Sequence, residues 1–186
     1  MTTFYLVRHA HSEWEPNENR PLSVQGLEDA KQVADILRNY PIREIYSSPE
    51  RRAFQTISLF AEQLGIQIEI ETDLRERKLG DEVFEDFFGA VEATWQNPSF
   101  AHPGGESSVE AQNRGLNVVK QLQSKHPNEA VVLSTHGNLM ALILQAFDPS
   151  IGFSFWKSLT MPDIYQLTIK QAGSGSIKRL WTSAAK

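Results

Sequence analysis

The sequence predicts one α/β domain in three layers, with helices on both faces of a mostly parallel central sheet. Short apolar runs of strand length alternate with segments of helical periodicity along the chain, and this order is typical of α/β folds. The 186 residues suit a single core, and no internal repeat or interdomain linker interrupts them. Residues 1–186 are therefore predicted to form one domain.

The first part of the chain is predicted to hold three strands and two helices. The strands are the apolar runs at 4–7 and 44–47 and the alternating run at 66–70. Ser23 is a suitable N-cap for the first helix, and Pro41 ends that segment. Pro49 opens the second helix, which Gly65 stops.

The second part is predicted to hold three more strands and three helical segments. The strands lie at 130–134, 164–170 and 177–181, and the helices at 82–97, 106–125 and 138–147. The aromatic-rich helix at 82–97 belongs to a small cap-like insertion predicted near residues 77–105.

Composition excludes several classes of protein. The chain has no cysteine, so disulfides, thiolate catalysis and cysteine-based metal sites are excluded. The net charge is -5 and no long Lys/Arg run occurs, so nucleic acid is not expected as a partner. No stretch approaches the ~20 apolar residues that span a bilayer. The run Phe4 to Val7 is too short for the core of a signal peptide, so we expect a cytoplasmic protein without a membrane partner.

Two histidines occupy equivalent positions in the predicted sheet. His9 and His136 each follow an apolar strand, and Arg52 lies on the helix that follows another strand. Ligands of open α/β sheets bind beyond the carboxyl ends of the strands. We therefore expect these three side chains to meet at one edge of the sheet.

Several motifs occur in an order that resembles the histidine phosphatase superfamily, the phosphoglycerate mutase-like proteins. They are LVRHAHSEW at 6–14, RPLSVQG at 20–26, SSPERRAFQT at 47–56, LRE at 74–76, PGGES at 103–107 and STHGN at 134–138. The set spans most of the first 140 residues, so the ordered match is far more specific than any single motif. The resemblance implies a phosphoglycerate mutase-like fold and a phosphatase that hydrolyses phosphomonoesters through a phosphohistidine.

The resemblance also assigns roles to individual residues. His9 would be the nucleophile, and a neutral imidazole suits attack on an anionic phosphate because it carries no negative charge. Arg8, Arg52 and His136 would bind the phosphoryl oxygens, and Gly137 would let the backbone approach the ligand. Arg51, beside Arg52, is expected to be a solvated helix residue.

The leaving oxygen of an alkyl phosphate needs a proton, which a carboxylic acid can supply. The resemblance assigns this role to Glu76, while Asp81, Glu82 and Glu85 are acidic residues nearby that could replace it. Glu76 lies between two arginines, so a surface ion pair is the alternative reading. Neither a metal nor a cofactor is expected, because arginines and histidines already supply positive charge.

Three residues depart from the family pattern. Ala10 stands where the family has glycine, and His11 where many members have glutamate or another polar residue. Glu15 stands where mutases and many phosphatases place an asparagine that contacts phosphate, so we expect it to turn outward.

The sequence leaves four alternative functions open. His9-Ala10-His11 also looks like the His-x-His metal pair of amidohydrolase barrels, although such barrels need ~250 residues. The others are a phosphate-binding module without catalysis, mutase-type phosphoryl transfer and a protein phosphohistidine phosphatase.

The expected partner is a phosphorylated small molecule, and the sequence leaves its identity and the oligomeric state open. The side chains that we expect to select it are aromatic and lie near the insertion: Trp14, Phe84, Phe87, Phe88, Trp95 and the loop 97–104.

Overall fold

One six-stranded sheet organises the chain. The structure, a computed structural model, describes residues 1–13, 19–170 and 173–182. Its strands are β1 (Thr2–Arg8), β2 (Ile42–Ser47), β3 (Ile68–Ile70), β4 (Ala130–Thr135), β5 (Asp163–Ile169) and β6 (Gly175–Arg179). They are ordered β3-β2-β4-β1-β5-β6. The pairs β2–β3, β2–β4 and β1–β4 are parallel, while β5 is antiparallel to both β1 and β6. The predicted mostly parallel sheet is confirmed.

Helices connect most of these strands, and local sequence signals fix several of their ends. They are α1 (Val24–Leu37), α2 (Arg51–Leu64), α3 (Phe87–Gln96), α4 (Ser108–Lys125), α5 (Gly137–Gln145) and α6 (Phe153–Ser158), with a short 3₁₀ helix at Thr72–Leu74. The Ser23 hydroxyl accepts a bond from the Gly26 N–H, as expected for the N-cap of α1. Gly65 ends α2 with φ 64°, a left-handed conformation that glycine adopts without strain.

The sheet buries both faces, which makes the domain three-layered. Alternate residues of β1 point to opposite sides. Phe4 and Leu6 belong to an apolar cluster that contains residues of α4 and α5. Tyr5 and Val7 belong to a second cluster, with residues of α1 and α2. The single-domain α/β/α architecture expected from the sequence is confirmed.

The structure corrects the helix limits in the insertion. Residues 82–86 are not helical, and α3 begins only at Phe87, because the Asp86 side chain caps it by accepting a bond from the Gly89 N–H. The sequence reasoning also missed α6, which is six residues long and too short to show a clear periodicity. Among the described residues, no helix is both long enough and apolar enough to cross a membrane.

Candidate active site

Three neighbouring parallel strands place the polar residues of the site. Arg8 at the end of β1 pairs with Thr135 at the end of β4, so His9 and His136 are the residues that directly follow these two strands. On the other side of β4, β2 ends at Ser47, opposite Ser134, and Ser48 follows. Carboxyl ends of parallel strands share one edge of the sheet, and this edge gathers His9, Ser48 and His136.

The ring of His9 is held by one contact at each nitrogen. Its Nδ1 lies 2.8 Å from the carbonyl oxygen of Ala10, which can only accept a hydrogen bond, so Nδ1 carries the proton. Arg52 donates from Nε to Nε2 of His9 across 3.3 Å. Since a guanidinium has no acceptor, Nε2 must hold a lone pair. His9 is therefore neutral, with its unprotonated Nε2 on the side of Arg52.

The surroundings of His9 favour this neutral form. Its ring is buried, and burial lowers its pKa well below 6.5. A positive charge on His136, when that ring is protonated, lowers it further, as do Arg52 and Arg8, and only the bond to the Ala10 carbonyl acts in the opposite direction. An imidazole held neutral in a cationic setting is suited to attack a phosphorus atom.

His136 lies against His9, with ring centroids 5.1 Å apart. Its Nδ1 accepts from Arg52 Nη2 at 3.2 Å, so a single guanidinium bridges both histidines. Its Nε2 lies 2.8 Å from Ser48 Oγ and 3.0 Å from Glu50 Oε2. A carboxylate only accepts, so the Nε2 proton is donated toward Glu50.

Arg8 is anchored by backbone oxygens on the other side of the site. Its Nη1 donates to the carbonyl of Leu159 at 2.9 Å and to that of Thr160 at 3.3 Å. The Thr160 N–H in turn donates to the buried carboxylate of Asp163, which also pairs with Arg179 at 2.8 Å. Burial lowers the pKa of Arg8, whereas Glu76 and Asp163 raise it. The guanidinium keeps its charge at neutral pH.

Gly137 makes room for Arg8. A Cβ at this position would lie 2.8 Å from Arg8 Nε and 2.9 Å from its Cζ. The space that we expected a ligand to use over Gly137 is thus occupied by the guanidinium. Glycine at the start of α5 therefore acts on the site through the position of Arg8.

Glu76 lies at the N-terminus of α5. Its Oε2 accepts from the Asn138 N–H at 3.0 Å, and its Oε1 accepts from the N–H groups of Leu139 at 2.9 Å and Arg77 at 2.8 Å. The carboxylate therefore satisfies two of the free N–H groups at the first turn of α5. Among the described residues Glu76 forms no ion pair, so the alternative prediction of a surface ion pair is not supported. Its carboxylate binds backbone N–H groups instead.

A cleft of about 360 Å³ opens beside these groups. Its lining brings together the N-terminal end of α2 and the start of the insertion: Glu50, Arg52, Arg75, Glu76, Arg77, Lys78, Leu79 and Gly80. Among the alternative acids, Asp81 pairs with Lys78, and Glu82 and Glu85 are exposed. Glu76 is the only one of these four candidate acids in the lining.

The departures from the family pattern fit the described backbone. Ala10 is fully buried, has no positive φ, and donates its N–H to Thr56 Oγ1 at 2.9 Å. The His11 ring turns to the N-cap of α1, where Nδ1 lies 2.8 Å from Ser23 Oγ. His9 and His11 thus have different partners. Glu15 and Trp14 lie outside the described residues.

The aromatic residues of the insertion form a patch with α6. Phe87 and Phe88 are about half exposed and lie 6.3 Å and 6.1 Å from the ring of Trp156. Phe84 lies 4.7 Å from the ring of His102. The contacts of Phe87 and Phe88 connect the insertion to α6, whose C-terminal end precedes the carbonyls that hold Arg8.

Sequence reasoning missed Ser48 and Glu50. Both belong to the motif SSPERRAFQT, in which the family resemblance assigns a role only to Arg52. The signal that could have found them is their position: they follow a strand that ends beside the strand before His136. Arg51, in contrast, is exposed as expected.

The one group of possible metal ligands found among the described residues lies elsewhere. Ligand atoms of Glu44, His126 and Glu129 fall within 4.8 Å of one another. His126 and Glu129 precede β4, whereas His136 follows it, so this group occupies the opposite edge of the sheet.

Comparison with known proteins agrees with the geometry. The sequence model of the histidine phosphatase superfamily (branch 1) matches residues 4–181. Phosphoserine phosphatase 1 of Hydrogenobacter thermophilus is 30% identical over 150 residues, which cover 73% of this chain and 71% of that protein. Glucosyl-3-phosphoglycerate phosphatase of Mycobacterium tuberculosis is 28% identical over 162 residues, covering 76% and 73%.

Solved structures show the same similarity over nearly the whole chain. A mycobacterial glucosyl-3-phosphoglycerate phosphatase in complex with inorganic phosphate superposes with a TM-score of 0.79 at 26% identity, covering 98% of this chain and 97% of that one. A structure described as mycobacterial hydrolase 1 gives a TM-score of 0.81 at 25% identity, covering 98% and 99%.

Proposed function

This chain belongs to the histidine phosphatase superfamily, and we propose that it hydrolyses small phosphomonoesters through a phosphohistidine formed on His9. The observation that carries the proposal is the contact between Arg52 Nε and His9 Nε2. It leaves a lone pair on a buried, neutral imidazole, beside a cation that can bind phosphate. This combination of a nucleophile and a preorganised donor is what phosphoryl transfer requires.

The proposed reaction has two steps. The lone pair of His9 Nε2 forms a bond to phosphorus while the bond from phosphorus to the ester oxygen breaks, and that oxygen takes a proton from Glu76. Water then attacks the phosphohistidine and passes a proton to the Glu76 carboxylate, while the N–P bond breaks, its electron pair returns to Nε2 of His9, and phosphate is released. Charge on the phosphoryl oxygens is offset by Arg8, Arg52 and His136 in both steps.

Two further roles support this chemistry. Gly137 contributes through Arg8, whose guanidinium fills the space that a side chain would take. The insertion at residues 77–105 serves as a small cap on the single domain of residues 1–186, since its first residues line the cleft beside Glu76.

The substrate class follows from the cleft and from the relatives. Relatives are named for action on phosphoserine and glucosyl-3-phosphoglycerate, and a cleft of about 360 Å³ suits a small phosphorylated molecule. We also propose that the protein acts in the cytoplasm without a membrane partner. The net charge of -5 and the lack of a long Lys/Arg run argue against nucleic acid as a partner. Mutase-type transfer or hydrolysis of protein phosphohistidine is the second candidate.

The test of this function is His9→Ala. It should abolish phosphate release from a panel of phosphorylated metabolites and a phosphohistidine protein, without a change in circular dichroism. Wild-type enzyme quenched during turnover should carry a phosphoryl label that is labile in acid and stable in base. Substantial activity in His9→Ala would rule out the mechanism. The panel also separates small substrates from protein phosphohistidine.

We also propose that catalysis needs no metal. Arg8 and Arg52 supply fixed positive charge at the site. Activity should therefore survive dialysis against EDTA. Loss of turnover that a divalent ion restores would contradict this and would favour the His-x-His metal reading of His9 and His11.

A further inference from the structure

A carboxylate is built into the phosphate-binding centre. Glu50 Oε2 lies 3.0 Å from His136 Nε2 in the site that should receive an anion. We propose that Glu50 is a positioning residue for His136: it holds the proton on Nε2 and lets Nδ1 take up a second proton when phosphate binds. This inference rests on the proposed function, because it concerns how the same site receives phosphate.

A structural role at the helix terminus does not account for this side chain. Glu50 is the N-cap residue of α2, yet its side chain makes no capping hydrogen bond. Ser23 and Ser107, the N-caps of α1 and α4, do make such bonds. The Glu50 carboxylate instead turns to His136, and its side chain is only 16% exposed.

Glu50 stays ionised in this position. Burial by itself raises the pKa of the carboxyl, but the hydrogen bonds from His136 and Ser48 lower it, and the charge that His136 carries when protonated brings it to about 2. Glu50 therefore cannot supply the proton for a leaving group at neutral pH. Its function has to be that of a permanent negative charge and hydrogen-bond acceptor.

The other nitrogen of His136 faces the reaction. Arg52 uses Nη2 for Nδ1 of His136 and Nε for the nucleophilic Nε2 of His9. Both nitrogens therefore border the place where the phosphoryl group must lie. Arg52 and the ring of His9 contact His136, and among the described residues Glu50 is the negative group in contact with its ring.

Every element packed against His136 contributes to this balance. Among the described residues, Arg52 of α2, its N-cap Glu50 and the ring of His9 contact the His136 ring. Arg8 lies against the neighbouring Gly137, and Glu76 binds the N–H of Asn138. Glu76 is bound to backbone N–H groups at the start of α5, so the ring itself relies on Glu50 for direct compensation of a positive charge.

Substrate binding then changes the protonation of His136. A phosphoryl group draws the donors of Arg52 to its oxygens, so Nδ1 of His136 loses the donor that occupied it. A proton from solvent can bind there, and the imidazolium donates from Nδ1 to a phosphoryl oxygen and from Nε2 to Glu50. The Glu50 carboxylate, 3.0 Å from Nε2, favours this charged form of the ring.

The experiment compares Glu50→Gln with Glu62→Gln, an exposed residue of the same helix. Glutamine keeps the shape of Glu50 but removes its charge. The basic limb of the pH profile of kcat should move to lower pH by about 1–3 units in Glu50→Gln, and stay unchanged in Glu62→Gln. At the acidic end of the profile, the activity of Glu50→Gln should approach that of the wild type.

A second measurement needs no turnover. In ¹⁵N-histidine-labelled wild type saturated with inorganic phosphate, both nitrogens of His136 should be protonated at neutral pH, whereas Glu50→Gln should keep one of them unprotonated. A neutral His136 ring in phosphate-bound wild type, or an identical titration in the two proteins, would overturn the role of Glu50. The variant His9→Ala tests the nucleophile separately. Failure of the proposed function and failure of the role of Glu50 would therefore give different results.

Discussion

Nε of Arg52 lies 3.3 Å from Nε2 of His9, and this contact fixes which nitrogen of the ring can react. The other nitrogen donates to the Ala10 carbonyl. The tautomer is therefore set by a donor without a lone pair on one side and an acceptor without a proton on the other.

This arrangement predicts the acidic limb of the pH profile. Burial lowers the pKa of His9 well below 6.5, so the ring stays neutral as the pH falls through 6.5 and is protonated only further down. The acidic limb of kcat/KM should thus lie well below pH 6.5 once ionisation of the substrate is taken into account. The measurement is a kcat/KM profile with an aryl phosphate. A limb at or above 6.5 would mean that His9 is solvated or is not the group that titrates.

Glu76 offers a second prediction, because its proposed proton matters to one kind of substrate more than to another, whereas its bonds to α5 matter equally to both. Glu76→Gln removes the acid and keeps one oxygen as an acceptor for backbone N–H groups, although its amide nitrogen cannot accept the bond that the second oxygen made. Since general acid help is typically worth ~10²–10⁴-fold, kcat/KM for an alkyl phosphate should fall by about that factor. In an aryl phosphate such as para-nitrophenyl phosphate the leaving group is a stable phenolate, so kcat/KM for this substrate should fall far less.

The control for this experiment is His9→Ala, which should lower kcat/KM to a similar extent for both substrates. Equal losses in Glu76→Gln would assign Glu76 to the anchoring of α5, through its bonds to Asn138 and Leu139. No loss with either substrate would direct the search to Asp81, Glu82 or Glu85.

A third prediction concerns the glycine beneath Arg8. In Gly137→Ala the new Cβ would lie 2.8 Å from Arg8 Nε, so the guanidinium has to move and phosphate binding should weaken. Inhibition by inorganic phosphate should become weaker by roughly tenfold or more, as expected for a loss of about 1.4 kcal/mol. Gly152→Ala is the matched control, since a Cβ there meets nothing within 4 Å. Equal inhibition of both variants would show that Arg8 is free to shift without loss.

Much of the fold could be predicted because the signals are local. The N-cap at Ser23 and the left-handed Gly65 mark helix ends that any sequence reading can find. The apolar run of β4 is fully buried, which agrees with a central strand. By contrast, α6 is a short aromatic segment, and its helical state depends on packing against the core.

The site was predictable to the extent that strand ends indicate it. His9 and His136 follow two apolar runs, and the pairing of those runs brings them together. Glu50 also follows the end of a strand, but a glutamate at a helix start normally suits the helix dipole, so its position alone does not assign it to the site. Only the turn of its side chain to His136 reveals a different partner.

The register of the sheet determines how the active site responds when the domain unfolds. The N–H of His9 donates to the Thr135 carbonyl at 3.0 Å, and the N–H of Ser48 donates to the Ser134 carbonyl at 3.0 Å. Both residues therefore continue the ladders of the central strands, where opening requires most of the global unfolding free energy. We expect their amide hydrogens to exchange with solvent as slowly as those of β4. Heat or denaturant should then abolish activity only as the whole domain unfolds. The residual activity would therefore be proportional to the fraction of molecules that are still folded.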